Sequence, residues 1–198
     1  AASVPAGAAL LAVVSFRDDL ASLGALPRML AQLVAVALGS FALPDLGLGL
    51  PVWVERGAVA LVWLWSINLF NFMDGIDGIA GAEAAAIGIG VALVAGDRAI
   101  GAPALATTGA ALGFLIWNWP PARIFLGDVG SVPLGFLLGY LCLALAAKGH
   151  AVEALLLPLV FLADATLTLA RRIVTGHKPW AAHRTHAYQR AVASGSSH

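Results

Sequence analysis

Long apolar runs separated by short polar turns repeat along almost the whole chain. The runs fall at roughly 1–16, 29–43, 57–72, 79–96, 101–117, 131–147 and 151–170. A helix needs about 17–20 apolar residues to cross about 30 Å of hydrocarbon, and each complete run approaches that length. Pro44-Asp45, Gly49-Leu50-Pro51, Gly96-Asp97-Arg98, Pro120-Pro121 and Lys148-Gly149 punctuate the runs with residues that end helices or form turns. Connections this short make neighbouring helices antiparallel. The pattern predicts an all-α, polytopic integral membrane bundle of about six complete transmembrane helices plus a partial one.

Composition strengthens this reading. The chain is 60% hydrophobic and 11% charged, against about 25% charged in soluble domains. Eleven basic and eleven acidic residues cancel, and no nucleic-acid partner is expected. The lone Cys142 lies in an apolar run, which excludes an internal disulfide and a thiolate metal cage. The first run opens without a methionine and the last residues are Ser-Gly-Ser-Ser-His. Residues 1–198 are therefore expected to form one membrane domain, truncated at both ends, of a larger bundle.

Alternate loops sort by charge. Those at 17–28, 68–78, 118–130 and 171–190 carry eight Lys or Arg residues, and the opposite loops carry three, Arg56, Arg98 and Lys148. The positive-inside rule places the eight in the cytoplasm, so 171–198 reads as a cytoplasmic basic loop. Asp18, Asp19, Asp74, Asp77 and Asp128 fall on the same face.

Four polar constellations sit there. Asp18-Asp19 pairs two carboxylates that repel unless a cation lies between them, or it is a solvated loop. Asn68, Asn71, Asp74 and Asp77 recur every third residue, so helical neighbours in that series share a face; helix-to-helix polar glue would explain one Asn but not all four groups. Asp128 lies between glycines just before Ser131 and Pro133, which predicts a bend, then an N-cap and a first helical turn. His183-Arg184-Thr185-His186 lies in a basic stretch with His177 and Lys178. It suits phosphate oxygens better than zinc, although plain positive-inside topology would also produce it. Asp164, inside the last run, is expected to pair with an arginine of its own or a neighbouring helix. Clustered oxygen ligands favour Mg²⁺ or Mn²⁺, and Mg²⁺ shares its shell with waters and substrate phosphates.

These residues resemble the polyprenyl-phosphate N-acetylhexosamine-1-phosphate transferases, the MraY/WecA superfamily of bacterial glycosyltransferase family 4. The resemblance rests on Ser15-Phe-Arg-Asp-Asp19, on Asn68 to Gly78 followed by Ile-Ala-Gly, on Asn118 to Ser131 with its Phe-Leu-Gly-Asp-Val-Gly-Ser core, and on His183-Arg-Thr-His-Ala-Tyr-Gln-Arg190. The His-x-x-His spacing is closer to the branch that initiates O-antigen and other polysaccharides than to the peptidoglycan branch, which has a contiguous His triplet.

The resemblance implies transfer of N-acetylhexosamine-1-phosphate from a UDP-sugar to undecaprenyl phosphate at the bacterial inner membrane, with release of UMP. It implies catalytic roles for Asp18, Asp19, Asp74 and Asp77, with Asp18 handling the lipid phosphate. Asn68, Asn71, Asn118, His183, Arg184 and His186 would contact substrate. Asp128, Asp74 and Asp77 would hold Mg²⁺, and a homodimer is allowed for. The rival reading is an ion-coupled transporter, whose carboxylates would line a midplane pathway.

Overall fold

The structure, a computed structural model, describes residues 2–176 and 186–194. Among the described residues the chain forms helices α1 (Ser3–Ala21), α2 (Ala25–Ser40), α3 (Val52–Met73), α4 (Ile79–Ala95), α5 (Arg98–Asn118), α6 (Gly127–Ala146), α7 (Ala151–Leu156), α8 (Leu159–Val174) and α9 (Ala187–Ala193). No strand occurs among them. The all-helical bundle expected from the hydropathy pattern is the architecture observed. By length and composition α5 and α6 could each cross a bilayer unaided, and α2 and α4 are apolar but shorter. Large apolar side chains such as Leu61, Leu93, Leu105, Ile116 and Val160 stand exposed on the bundle exterior, as they must where the surrounding solvent is lipid.

Helix ends follow local chemistry. The Asp97 side chain caps α5 by accepting from the Ala99 and Ile100 N–H groups at 2.8 and 3.2 Å, satisfying donors the helix leaves open. The last apolar run does not make one helix. Pro158 has no N–H to give and its ring opposes the preceding turn, so the run divides into α7 and α8. Two further expectations change. Helix α3 stops at Met73, so Asn68 and Asn71 are helical while Asp74 and Asp77 lie in the following turn. Helix α6 begins at Gly127, which puts Asp128 in its first turn, not in a bend before it. Ser131 is consequently one turn inside the helix, and Pro133 lies beyond the first turn.

Helix α6 occupies the centre and packs against α1, α3, α4, α5 and α7. Its approach to α3 depends on two small residues one turn apart. A methyl group at Gly135 would come within 2.9 Å of the Phe70 Cβ and 3.0 Å of the Ile67 Cα, and one at Gly139 within 2.8 Å of the Ser66 Oγ. Such small-residue faces let helix backbones meet closely where lipid gives no hydrophobic drive to association. Trp63, fully buried, stacks on Phe136 at 4.8 Å and donates its indole N–H to the Phe136 carbonyl at 2.8 Å.

Several charges at the far end of the bundle are engaged in local structure. Glu55 accepts from the Leu46 and Leu48 N–H groups at 2.6 and 3.0 Å. Arg56 reaches Asp45 at 2.5 Å, and Lys148 pairs with Asp97. These contacts close loops. The opposite end is different.

Candidate active site

Three helix tips converge at that opposite end. Asp19, in the last turn of α1, accepts the N–H groups of Asp128 and Val129 at 3.3 and 3.0 Å. It thus caps the N-terminus of α6 from another helix, where a negative charge also complements the helix dipole. Its neighbour Asp18 is turned inward and buried. Asp18 accepts the Leu23 N–H at 2.5 Å and pairs with Arg28 at 3.0 Å. Arg28, at the start of α2, also lies 3.5 Å from Asp128. On the far side of Asp128, Asn71 of α3 donates to its carboxylate at 2.6 Å and to the Ser131 hydroxyl at 3.1 Å. The adjacent aspartates read as one motif in the sequence therefore do separate work. One holds an arginine and the other holds a helix.

Beyond the end of α3, a second pair of contacts fixes the loops. Buried Asn118 accepts the Gly78 N–H at 2.9 Å and donates to the Ile124 carbonyl at 2.9 Å. Asp77 accepts the Ala122 N–H at 2.9 Å. A cleft of about 280 Å³ opens between these loops, lined by Asn71, Asp74, Asp77, Asn118, Phe125 and Asp128 among others. Burial, and then the like charge of Asp128, raise the Asp74 carboxyl to about 6. A raised carboxyl facing a second carboxylate marks a place built to receive positive charge.

A second cleft, of about 200 Å³, shares Asn71 and Asp128 with the first. Its other walls combine Arg28 and Asn68 with apolar Leu11, Val14 and Val132. The Asn71–Asp128 hydrogen bond is the partition between the two clefts. The Asn68 carboxamide faces the second cleft but is already engaged. Its nitrogen donates to Gln32 at 2.9 Å and to the Leu64 carbonyl at 2.8 Å. Arg28 and Gln32 were not singled out from the sequence. Arg28 counted there only as one more cytoplasmic charge.

His183 and Arg184 lie outside the described residues. His186 is described, and its side chain is 4% exposed, with Nδ1 3.6 Å from Asp164 and its ring stacked on Tyr188 at 5.7 Å. Burial holds its pKa below the ordinary value even though Asp164 pulls the other way, so this imidazole is neutral at pH 7. It faces Asp164 rather than either cleft. Asp164, expected to pair with an arginine, instead accepts the Ala187 N–H at 2.9 Å and the Thr168 hydroxyl at 3.0 Å. Tyr188 reaches across to donate to the Phe72 carbonyl at 2.9 Å, with its ring 3.0 Å from where a methyl on Gly75 would stand. Helix α9 is thereby docked on the Asp74 loop.

Among the described residues no three His, Cys, Asp or Glu side chains stand close enough together to enclose a metal ion. All three carboxylates expected to do so line the first cleft: Asp74 lies within electrostatic reach of Asp128, and one Asp77 oxygen also accepts the Ala122 N–H. Two carboxylates suit Mg²⁺, which usually takes one or two and completes its shell with water and substrate phosphate.

Comparison with known proteins gives a consistent picture. The model of a family described as "Glycosyl transferase family 4" matches residues 1–146. The probable undecaprenyl-phosphate N-acetylglucosaminyl 1-phosphate transferase of Bacillus subtilis is 32% identical, over 99% of this chain and 59% of that protein. The decaprenyl-phosphate N-acetylglucosaminephosphotransferase of Mycolicibacterium smegmatis is 29% identical, over 100% of this chain and 57% of that protein. A phospho-N-acetylmuramoyl-pentapeptide-transferase of Symbiobacterium thermophilum is 38% identical, over 65% of this chain and 46% of that protein. The chain thus spans 59% or less of the length of these three relatives. The matched segment contains Asp18-Asp19, the Asn68–Gly78 run and the Asn118–Ser131 run, and with those motifs gathered at one end of an apolar helical bundle, the chain belongs to glycosyl transferase family 4.

Proposed function

We propose that the protein of which this chain is part transfers N-acetylhexosamine-1-phosphate from a UDP-sugar to a polyprenyl phosphate. The products are a lipid-linked pyrophosphoryl sugar and UMP, made at the cytoplasmic face of a bacterial inner membrane. One observation carries the reading: two clefts of different character share the Asn71–Asp128 partition. The polar cleft over the loops suits a nucleotide sugar. The cleft that pairs a guanidinium with apolar walls suits a phosphate on a hydrocarbon chain. Two substrates brought to opposite sides of one hydrogen-bonded pair can meet there.

In this reading the acceptor phosphate docks against Arg28, which Asp18 holds in place by the 3.0 Å ion pair. A phosphate monoester has a second pKa near 6, so at pH 7 it is already largely a dianion. Asp18 then acts chiefly by orienting Arg28, and need not remove a proton. The acceptor oxygen attacks the phosphorus that bears the sugar. The bond from that phosphorus to the bridging oxygen breaks, and UMP leaves with that oxygen and its electron pair. Asp74 and Asp128 would hold Mg²⁺, which when bound neutralises charge on the donor diphosphate. Asn71 keeps the Asp128 carboxylate aimed at the partition, and Asp19 keeps the first turn of α6 in register beneath it. His183 and Arg184 supply donors to oxyanions from the basic loop. His186, neutral and buried against Asp164, positions α9.

The relatives matched along the full chain are named for N-acetylglucosamine-1-phosphate transfer, whereas the pentapeptide transferase matches over 65% of it. That favours the polysaccharide-initiating branch and an N-acetylhexosamine donor. The carboxylates sit at helix ends and hold arginine or backbone N–H groups, which offers no support for a transport pathway. The test is UMP release by the full-length protein in membranes, with Mg²⁺, undecaprenyl phosphate and a panel of UDP-N-acetylhexosamines. Lipid-dependent UMP release from at least one donor is the expected result. Its absence from every donor would remove the proposal.

A further inference from the structure

Several hydroxyls inside the helices of this bundle give their proton to the carbonyl four residues back. Ser40 gives it to Val36 at 2.7 Å, Thr107 to Pro103 at 2.9 Å and Thr108 to Ala104 at 3.0 Å, the local bond such side chains commonly make in helices. Ser131, one turn inside α6, does not. Its oxygen accepts an Asn71 amide proton at 3.1 Å, and among the described residues no group accepts from it. A hydroxyl has one proton to donate besides its lone pairs, and here that proton is uncommitted. Ser131 is 1% exposed, and a buried donor left without an acceptor is costly. The first cleft, which Ser131 lines, is where an acceptor can reach it.

The surroundings decide what that acceptor is. Asn71 spends its two amide protons on Asp128 and Ser131, while Asp74, Asp77 and Asp128 bring negative charge to the same cleft. Carboxylates hold a phosphate only through a shared cation. A neutral hydroxyl among them can bond a phosphate oxygen directly without competing for that cation's charge. Ser131 lines the first cleft and not the second, whereas its partner Asn71 lines both. It therefore stands on the nucleotide-sugar side of the partition, beside the point where the two substrates meet.

We infer that Ser131 donates its hydroxyl proton to a non-bridging oxygen of the sugar-bearing phosphate of the UDP-sugar. Asn71 fixes the hydroxyl oxygen, so the donor is in place before the ligand arrives. This deepens the transferase reading and rests on it.

The experiment uses the full-length protein with Mg²⁺, titrated with uridine and with the UDP-N-acetylhexosamine that supports UMP release. Ser131→Ala should weaken UDP-sugar binding about tenfold, the scale of one hydrogen bond to a charged group. Uridine binding and the KM for undecaprenyl phosphate should stay within a factor of two. A merely structural role, exerted through Asn71, would disturb both clefts and move that KM as well. The double variant Ser131→Ala with Asn71→Ala should bind UDP-sugar about tenfold more weakly than Asn71→Ala alone, because the lost contact is made by Ser131 itself. Undiminished UDP-sugar binding by Ser131→Ala would overturn the inference. So would an equal loss of uridine binding, a parallel rise in the lipid KM, or a double variant no weaker than Asn71→Ala. If Ser131→Ala does not fold, Ser131→Cys, close in shape but a poor donor, takes its place with the same expectations. Absence of both UDP-sugar binding and UMP release in the unaltered protein would instead remove the transferase reading, and this inference with it.

Discussion

Asn71 and Asp128, 57 positions apart, are joined by a 2.6 Å hydrogen bond that ties the end of α3 to the first turn of α6. A hydrogen bond to a charged group contributes about 1.5–3 kcal/mol, but its larger consequence is orientation. It holds one Asp128 oxygen and leaves the other toward Arg28 at 3.5 Å. Replacing Asn71 with Ala should release the carboxylate. UMP release by the full-length protein is expected to fall about 10²–10³-fold, the usual scale for losing one preorganised donor, with little change in melting temperature. A variant within a factor of two of normal turnover would show that the hydrogen bond is incidental.

Asp19 should behave differently from Asp18. Removing a helix cap costs about 1 kcal/mol, so Asp19→Ala is expected to lower thermal stability in detergent as well as activity. Asp19 takes the Asp128 and Val129 N–H groups with separate oxygens, so Asp19→Asn keeps an acceptor for one of them and should recover part of that stability. Equal melting temperatures for the Ala and Asn variants would argue against capping.

Tyr188 and Gly75 form one latch. Gly75→Ala would push a methyl into the Tyr188 ring, and Tyr188→Phe removes the hydrogen bond to the Phe72 carbonyl. Both changes should loosen α9 from the Asp74 loop, raising hydrogen exchange at Ala187 and in residues 74–78. Unaltered exchange in Gly75→Ala would mean that α9 is held from elsewhere.

His186 gives a pH dependence of known sign. Its folded-state pKa lies below the ordinary value of 6.5. Once α9 is released the imidazole takes up a proton near 6.5, whereas the docked ring resists it. Docking is therefore at full strength above about pH 6.5 and weakens as pH falls below it. Hydrogen exchange at Ala187, corrected for its intrinsic pH dependence, should show protection dropping between pH 7.5 and 5.5, and His186→Gln should flatten the profile. A flat profile in the unaltered protein would refute the buried neutral ring.

Much of this site could be read before any coordinates. Short turns fix which helix ends share a side, so the turn positions alone bring Asp18, Asp74, Asn118 and Asp128 to one face. Turn chemistry also located the helix ends to within a few residues, apart from the break at Pro158. Register between helix tips is not readable in that way. Asp19 and Val129 are 110 positions apart, and Tyr188 and Phe72 are 116. Nothing local to either partner announces the other. The same blindness hid Arg28, whose charge served topology in the sequence and Asp18 and Asp128 in the fold. It also hid the Gln32–Asn68 pair. For Asp164, proximity in sequence to Arg171 and Arg172 suggested the wrong partner, because α9 folds back and presents a backbone N–H.

The account depends on helix tips from distant parts of the chain forming one site around Asp128. Its most direct test is lipid-dependent UMP release by the full-length protein carrying Asp128→Asn, measured beside thermal unfolding of the same preparation. The neutral side chain can keep its contact with Asn71 but cannot hold a cation with Asp74. Turnover is expected to vanish while the melting temperature stays within a few degrees. A folded Asp128→Asn protein turning over at near the normal rate would contradict the account.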